Sequence, residues 1–146
     1  MTNRKRLLAL AGFTLVATPL AAQGDTVAGR ISAYRELGAA YKNVNDQLRS
    51  GTPNAYLIQV SAREIRKVAT DQYSYFPAGS TGGKSKALPT VWSKPALFKQ
   101  RQDAFKAQAD SFYAVTRSGD MAKIRTASAE LGQTCKACHK QFRQED

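Results

Sequence analysis

The chain is poor in the side chains that hold metals and carry protons. It contains one histidine, His139, two cysteines, Cys135 and Cys138, and two methionines, Met1 and Met121. A tetrahedral zinc site needs four ligands, so only a carboxylate could complete one here. A single histidine cannot serve both as a ligand and as a separate acid–base catalyst. The longest apolar run, Leu7 to Val16, falls well short of the ~20 residues that span a bilayer. No stretch alternates polar and apolar residues for long, which argues against a sheet. Acidic residues are few, 11 Asp+Glu against 22 Lys+Arg. The basic residues are spread along helix-periodic segments without a binding motif, so nucleic acid is not the expected partner.

The scarce residues are gathered in one place. Cys135-Lys136-Ala137-Cys138-His139 reads C-x-x-C-H, the attachment sequence for a c-type haem. Two thiols three residues apart can each form a thioether to one of the two vinyl groups along a porphyrin edge. His139 follows at once and can place an imidazole nitrogen on the iron. A thioredoxin-type C-x-x-C belongs in a βαβ setting, which is missing here. A plain disulfide would leave the adjacent histidine a coincidence. The expected cofactor is one haem c, held covalently by Cys135 and Cys138 with His139 as axial iron ligand.

Residues 1–22 read as an export signal. Arg4, Lys5 and Arg6 form a basic start, Leu7 to Val16 an apolar stretch, and Ala21-Ala22 a small-residue cleavage site. Covalent haem attachment takes place outside the bacterial cytoplasm, so leader and motif agree on the periplasm. The remaining 23–146 is one domain with one core. It keeps 19 Lys+Arg against 11 Asp+Glu, formally +8. A basic surface favours an acidic redox partner or an anionic membrane face.

Four amphipathic segments follow. Val27, Ile31, Tyr34, Gly38, Tyr41, Val44 and Leu48 recur at helical spacing from about Asp25 to Arg49. A second helix is expected to start at Thr52-Pro53, with Ile58, Ala62, Ile65, Ala69 and Gln72 on one face. A third is expected from near Ser93 and Pro95, with Phe98, Phe105 and Phe112 on one stripe. Ser118-Gly119-Asp120 ends it and caps the fourth. There Met121, Ile124, Ser128, Leu131, Cys135, Cys138 and Phe142 form a heptad seam. The fold class is all-α, an antiparallel up-down-up-down four-helix bundle. Because both cysteines lie on the seam, the haem must enter the core. The long link from Ser74 to Trp92, with two prolines and three glycines, points to a functional or crossing loop.

These residues resemble the class II c-type cytochromes, specifically cytochrome c′, over nearly the whole exported chain. Cys135 to Arg143 is similar to the family's C-terminal haem helix, including an arginine four residues past the histidine. Phe76 to Gly83 followed by Leu88-Pro89-Thr90-Val91-Trp92 resembles its loop between helices two and three. Arg30 with Tyr34 and Gly38 resembles the distal part of helix one. The resemblance implies that Arg30 contacts a haem propionate, that Ser80 and Thr81 meet the haem edge, that Trp92 packs near it, and that Arg143 stands beside His139. It also implies a homodimer through helices one and two. Family members often carry a polar residue after the helix-one arginine; here it is Ile31, which is assigned only core packing.

The family's electron carriers place a methionine on the iron, four residues after the helix-one arginine. Here that position is Tyr34. Met1 leaves with the signal, and Met121 is about 27 Å along the helix from His139. A loop lysine, Lys84 or Lys86, could bind only after losing its proton, and a neutral phenol binds iron poorly. The expected iron is therefore five-coordinate and high-spin, with Tyr34 over an open distal side. The expected function is binding of small gases (NO, CO), electron transfer, or both, rather than enzymatic turnover. The alternative is a low-spin six-coordinate electron carrier.

Overall fold

The computed structural model describes residues 20–145, with side chains from Thr26 onward. The predicted export signal lies outside the described residues except for its last three, which begin the first helix. Four long helices form the fold: α1 (Leu20–Arg49), α2 (Ala55–Asp71), α4 (Pro95–Thr116) and α5 (Met121–Phe142), with the single turn α3 (Thr90–Ser93) between the second and third of them. No strand occurs among the described residues; one isolated antiparallel bridge joins Ala87 to Arg143. The predicted all-α up-down-up-down bundle is the observed one.

The helix ends follow local chemistry. The expected cap at Thr52-Pro53 is displaced to Asn54. Its backbone is extended (φ −96°, ψ 107°) and its side-chain oxygen accepts the Leu57 N–H at 3.2 Å, the usual role of an N-cap asparagine. The third long helix starts at Pro95, because proline suits a first helical position. The residue before it, Lys94, is forced out of helical geometry (φ −127°, ψ 57°), which splits off α3. Gly119 takes φ 68°, a left-handed value that ends α4. Asp120 then caps α5, its Oδ1 accepting the Ala122 and Lys123 amides at 3.0 and 3.1 Å.

Two clusters of buried side chains divide the bundle. The larger joins Val44 and Leu48 of α1, Ile58, Ala62, Ile65 and Ala69 of α2, Phe105, Ala109 and Phe112 of α4, and Ile124, Ala127 and Leu131 of α5. The smaller holds Val91, Phe98 and Phe142, with Phe76, Trp92 and Cys138 against them. The predicted stripe of Phe98, Phe105 and Phe112 is buried along its length. Successive long helices pack side by side, while the remaining side of the bundle, between α1 and α5, is far more sparsely packed. That gap places the site.

Candidate functional site

Where the N-terminal half of α1 parts from the C-terminal half of α5, a cavity of about 590 Å³ opens. That is within the ~300–1,000 Å³ of sites that enclose a small-molecule ligand. Its lining includes Arg30, Tyr34, Gly38 and Tyr41 from α1, Gln72 after α2, Phe98 and Phe105 from α4, and Cys135, Cys138, His139 and Arg143 at the end of α5.

The α5 side carries the motif. Cys135 and His139 are one turn apart, so both thiols and the imidazole reach the cavity from one helix face. Both cysteines are free thiols. Burial raises the Cys138 thiol to about 11 and the Cys135 thiol above its ordinary value. Partial burial, and then the nearby Arg143 charge, shift His139 downward, which favours the neutral imidazole, the form that binds a metal. Among the described residues no group of His, Cys, Asp and Glu is placed to hold a metal ion by itself.

Across the cavity stands Tyr34, with Tyr75 and Phe76 edge-on to its ring at 6.2 and 5.9 Å. Burial raises its phenol well above the usual tyrosine value, and the nearby Arg30 charge offsets this only in part. The phenol is neutral at pH 7. The inner end is closed by Tyr41, whose hydroxyl donates to the Ser128 carbonyl at 3.0 Å and so ties α1 to α5. A methyl group at Gly132 would collide with that hydroxyl, so glycine makes the close approach possible. Gln72 is held at the rear, its Nε2 donating to the Ala69 and Gln102 carbonyls at 2.9 and 3.0 Å.

Arg30 is 4% exposed. Its Nη1 donates to the Tyr75 carbonyl at 2.9 Å and to Ser80 Oγ at 3.0 Å. Its Nη2 donates to the Ser80 carbonyl and to Ser85 Oγ, both at 2.8 Å. The guanidinium also lies over the rings of Phe76 and Trp92, at 4.8 and 5.8 Å. Each of these four bonds goes to a neutral oxygen, so the charge is buried among the described residues without an ion-pair partner. That is a costly arrangement in a dry interior. An anionic group in the cavity would relieve it, which fits the two propionates of a haem. Thiols, imidazole and cation thus fit the expected group on three independent counts.

Of the remaining predicted residues, Ser80, Thr81 and Trp92 sit around the cavity, and Arg143 is in its lining. Ser80 is fully buried and clamps Arg30. Thr81 is exposed in the loop, its amide bonded to the Gly79 carbonyl at 2.8 Å. Trp92 packs in the smaller cluster and donates its indole N–H to the Pro77 carbonyl at 3.0 Å. Arg143 lines the cavity and pairs with Ala87 in the backbone bridge. The loop caps the end of α5: Leu88 N–H donates to the Phe142 carbonyl at 2.9 Å, and Thr90 Oγ to the Gln141 carbonyl at 2.7 Å. Sequence reasoning did not assign Ser85, Gln72 or Gly132 to the site. Gln72 was read as part of the α2 face, and a polar residue on that apolar stripe was the available signal.

The profile of the family described as Cytochrome C′ matches residues 25–143. Cytochrome c′ of Rubrivivax gelatinosus is 31% identical over 125 residues, covering 83% of this chain and 95% of its own length. The structure of a cytochrome c prime variant from Alcaligenes xylosoxidans, solved as its nitric oxide complex, superposes with a TM-score of 0.78 at 29% identity, covering 85% of this chain and 97% of that one. A second variant from that organism, with carbon monoxide bound, superposes at 0.77 and 29% identity over 84% of this chain and 97% of that one.

Proposed function

The chain belongs to the cytochrome c′ family, and from that premise we propose that it is an exported, periplasmic haem protein whose iron keeps its distal position open beneath Tyr34, for small uncharged gases such as NO and CO and for one-electron exchange. The cofactor is haem c. When bound, it supplies an iron that can take a diatomic ligand and change its charge by one electron.

The chain's own residues divide the work. Cys135 and Cys138 hold the group through thioethers, which fixes it in the cavity for the life of the protein. His139 would present its imidazole to the iron, and the Arg143 charge disfavours its protonated form. Arg30 offers its buried charge to a propionate while gripping the loop through Ser80 and Ser85. Tyr34 and the rings beside it keep bulk water and large ligands from the distal side. The solved nitric oxide and carbon monoxide complexes of relatives support gases as ligands. Pairing of two copies through α1 and α2 is supported by Tyr56 and Leu57, which are 69% and 40% exposed at the start of α2.

One observation carries the open position. The cavity is lined by one histidine, no methionine, and a distal tyrosine whose phenol burial keeps protonated. Ferric and ferrous absorption spectra test it, and high-spin bands are the expected result. Tyr34→Ala should lower the entry barrier by on the order of 1–2 kcal/mol, raising carbon monoxide association roughly tenfold. Tyr34→Met should draw the iron toward a low-spin, six-coordinate state. A low-spin wild type would favour the electron-carrier alternative, and unaltered kinetics in both variants would place the distal barrier elsewhere on α1.

A further inference from the structure

The stretch of α1 between Arg30 and Val44 forms one wall of the cavity, yet its residues are half-buried or exposed. Close packing therefore does little to fix it, and its side toward α5 is the sparsely packed one. Polar contacts hold it at both ends. At one end Arg30 grips the loop through the Tyr75 and Ser80 carbonyls and the Ser80 and Ser85 hydroxyls. At the other, Tyr41 reaches α5 and donates its hydroxyl to the Ser128 carbonyl at 3.0 Å. Tyr34 lies between the two.

Register gives the second contact its consequence. Seven residues, or two turns, separate Tyr34 from Tyr41 on α1 and Ser128 from Cys135 on α5, about 10.5 Å along each helix. The two helices run antiparallel, so the tie sits two turns below the level at which Tyr34 faces the C-x-x-C-H end of α5. Ser128 is 2% exposed, so water competes little for its carbonyl. The fit is also close. A methyl group at Gly132 would strike the Tyr41 hydroxyl, while the ring carbon behind it would stand 3.4 Å away. Glycine inside a helix is less favourable than alanine. α5 thus gives up some helical stability at the point where α1 comes in. The Tyr41 ring packs against the larger apolar cluster, so what the hydroxyl adds is the tie.

We propose that the contact of Tyr41 with Ser128 and Gly132 sets the distal clearance: by drawing α1 against α5 two turns away, it positions Tyr34 over the open side of the iron and governs how readily a small gas enters. Tyr41 is a positioning residue that acts through Tyr34. The proposal rests on the open-iron reading and adds what holds the distal side at its width.

The test follows carbon monoxide association with the ferrous holoprotein by stopped flow, together with amide exchange. Tyr41→Phe keeps the ring and removes the tie. α1 should then move more freely from α5, and association should rise roughly three- to tenfold, the range expected for loss of one buried hydrogen bond. Exchange in residues 31–41 should quicken with or without the gas. Gly132→Ala should act in the same direction, because its methyl displaces the hydroxyl. If that variant folds poorly, Tyr41→Phe/Gly132→Ala should restore folding, since the colliding atom is gone. The double variant should bind carbon monoxide no faster than Tyr41→Phe alone, because both changes break one contact. Phe112→Leu weakens the packed half and controls for general loosening; its rate should stay within about twofold of wild type. A Tyr41→Phe rate within about twofold of wild type, or unchanged exchange in residues 31–41, would overturn the proposal. So would additive effects of Tyr41→Phe and Gly132→Ala, or an equal acceleration in Phe112→Leu. Failure of the two readings looks different. A wild type that binds no carbon monoxide removes the open iron and the gate with it, whereas a wild type that binds it at a rate indifferent to the tie removes the positioning role alone.

Discussion

In the half of the bundle formed by the end of α1, the start of α2, the end of α4 and the start of α5, Val44, Ile58, Ala62, Phe112 and Ile124 have no solvent exposure at all. In the other half, the same four helices spread apart around the cavity. Apolar contact fills the interior of the first half, and polar bonds such as Asn43 Nδ2 to Ser61 Oγ at 2.8 Å add to it at the margin. The second is held by directed bonds: Arg30 to Ser80 and Ser85, Tyr41 to Ser128, and the loop to the end of α5. A close-packed interior leaves no room for a large flat group. The open half gives up burial to make that room, and polar bonds keep the walls apart at a fixed spacing.

The largest expected effects fall on the open half and concern chemistry. Cys135→Ala or Cys138→Ala should leave haem held by a single thioether with one vinyl group unreacted, and only the double variant should leave haem that acid–acetone extracts. His139→Ala should lose the proximal ligand, since the chain has no other histidine. Two intact covalent bonds in either cysteine variant, or an unchanged spectrum in the histidine variant, would refute the assignments.

Next comes a contrast in stability. Phe112→Ala in the packed half should cost about 3–5 kcal/mol, because the ring is fully buried and its neighbours cannot all collapse into the space. Denaturant unfolding should show that loss equally with and without haem. Arg30→Met in the open half should cost less, about 1–3 kcal/mol, since it removes four hydrogen bonds along with a buried charge that had no carboxylate partner. Its signature should be local, namely faster amide exchange in residues 76–88 with little change at Ile58 or Phe112. Equal loosening in both halves would end the distinction drawn between them.

That contrast also explains what could be read before the structure. Repeating apolar positions report packing, so the heptad seam, the phenylalanine stripe and the four-helix fold were visible in the sequence. The C-x-x-C-H motif is local, so its three residues were visible too. Arg30 reaches partners 45 to 55 residues away, and Tyr41 one 87 away. No local pattern announces Ser85 as a clamp or Gly132 as the space beneath a tyrosine hydroxyl. The cap at Asn54 was obscured by a neighbouring Thr-Pro pair with the same statistical preference. Thr81 and Trp92 came from a resemblance in loop sequence, and they frame the loop rather than line the cavity.

The smallest effect belongs to the packed half's surface. Asp110 Oδ1 accepts from Arg66 at 2.7 Å and Oδ2 from Lys106 at 2.6 Å, which together hold its carboxyl below the usual range. Its side chain is 37% exposed, so water and salt screen both pairs. Asp110→Asn should therefore change stability at pH 7 by no more than about 1 kcal/mol. The folded-state pKa is depressed, so the contribution is fully present above the unfolded value near 3.9 and fades as pH falls through the folded one. Wild type and variant should converge in urea melts below about pH 3. They should also converge at about 1 M salt, where the screening length shrinks to roughly 3 Å. A difference that survived both conditions would mean that Asp110 acts through packing against Arg66 and Tyr113, whose ring lies 5.2 Å from the guanidinium, rather than through charge.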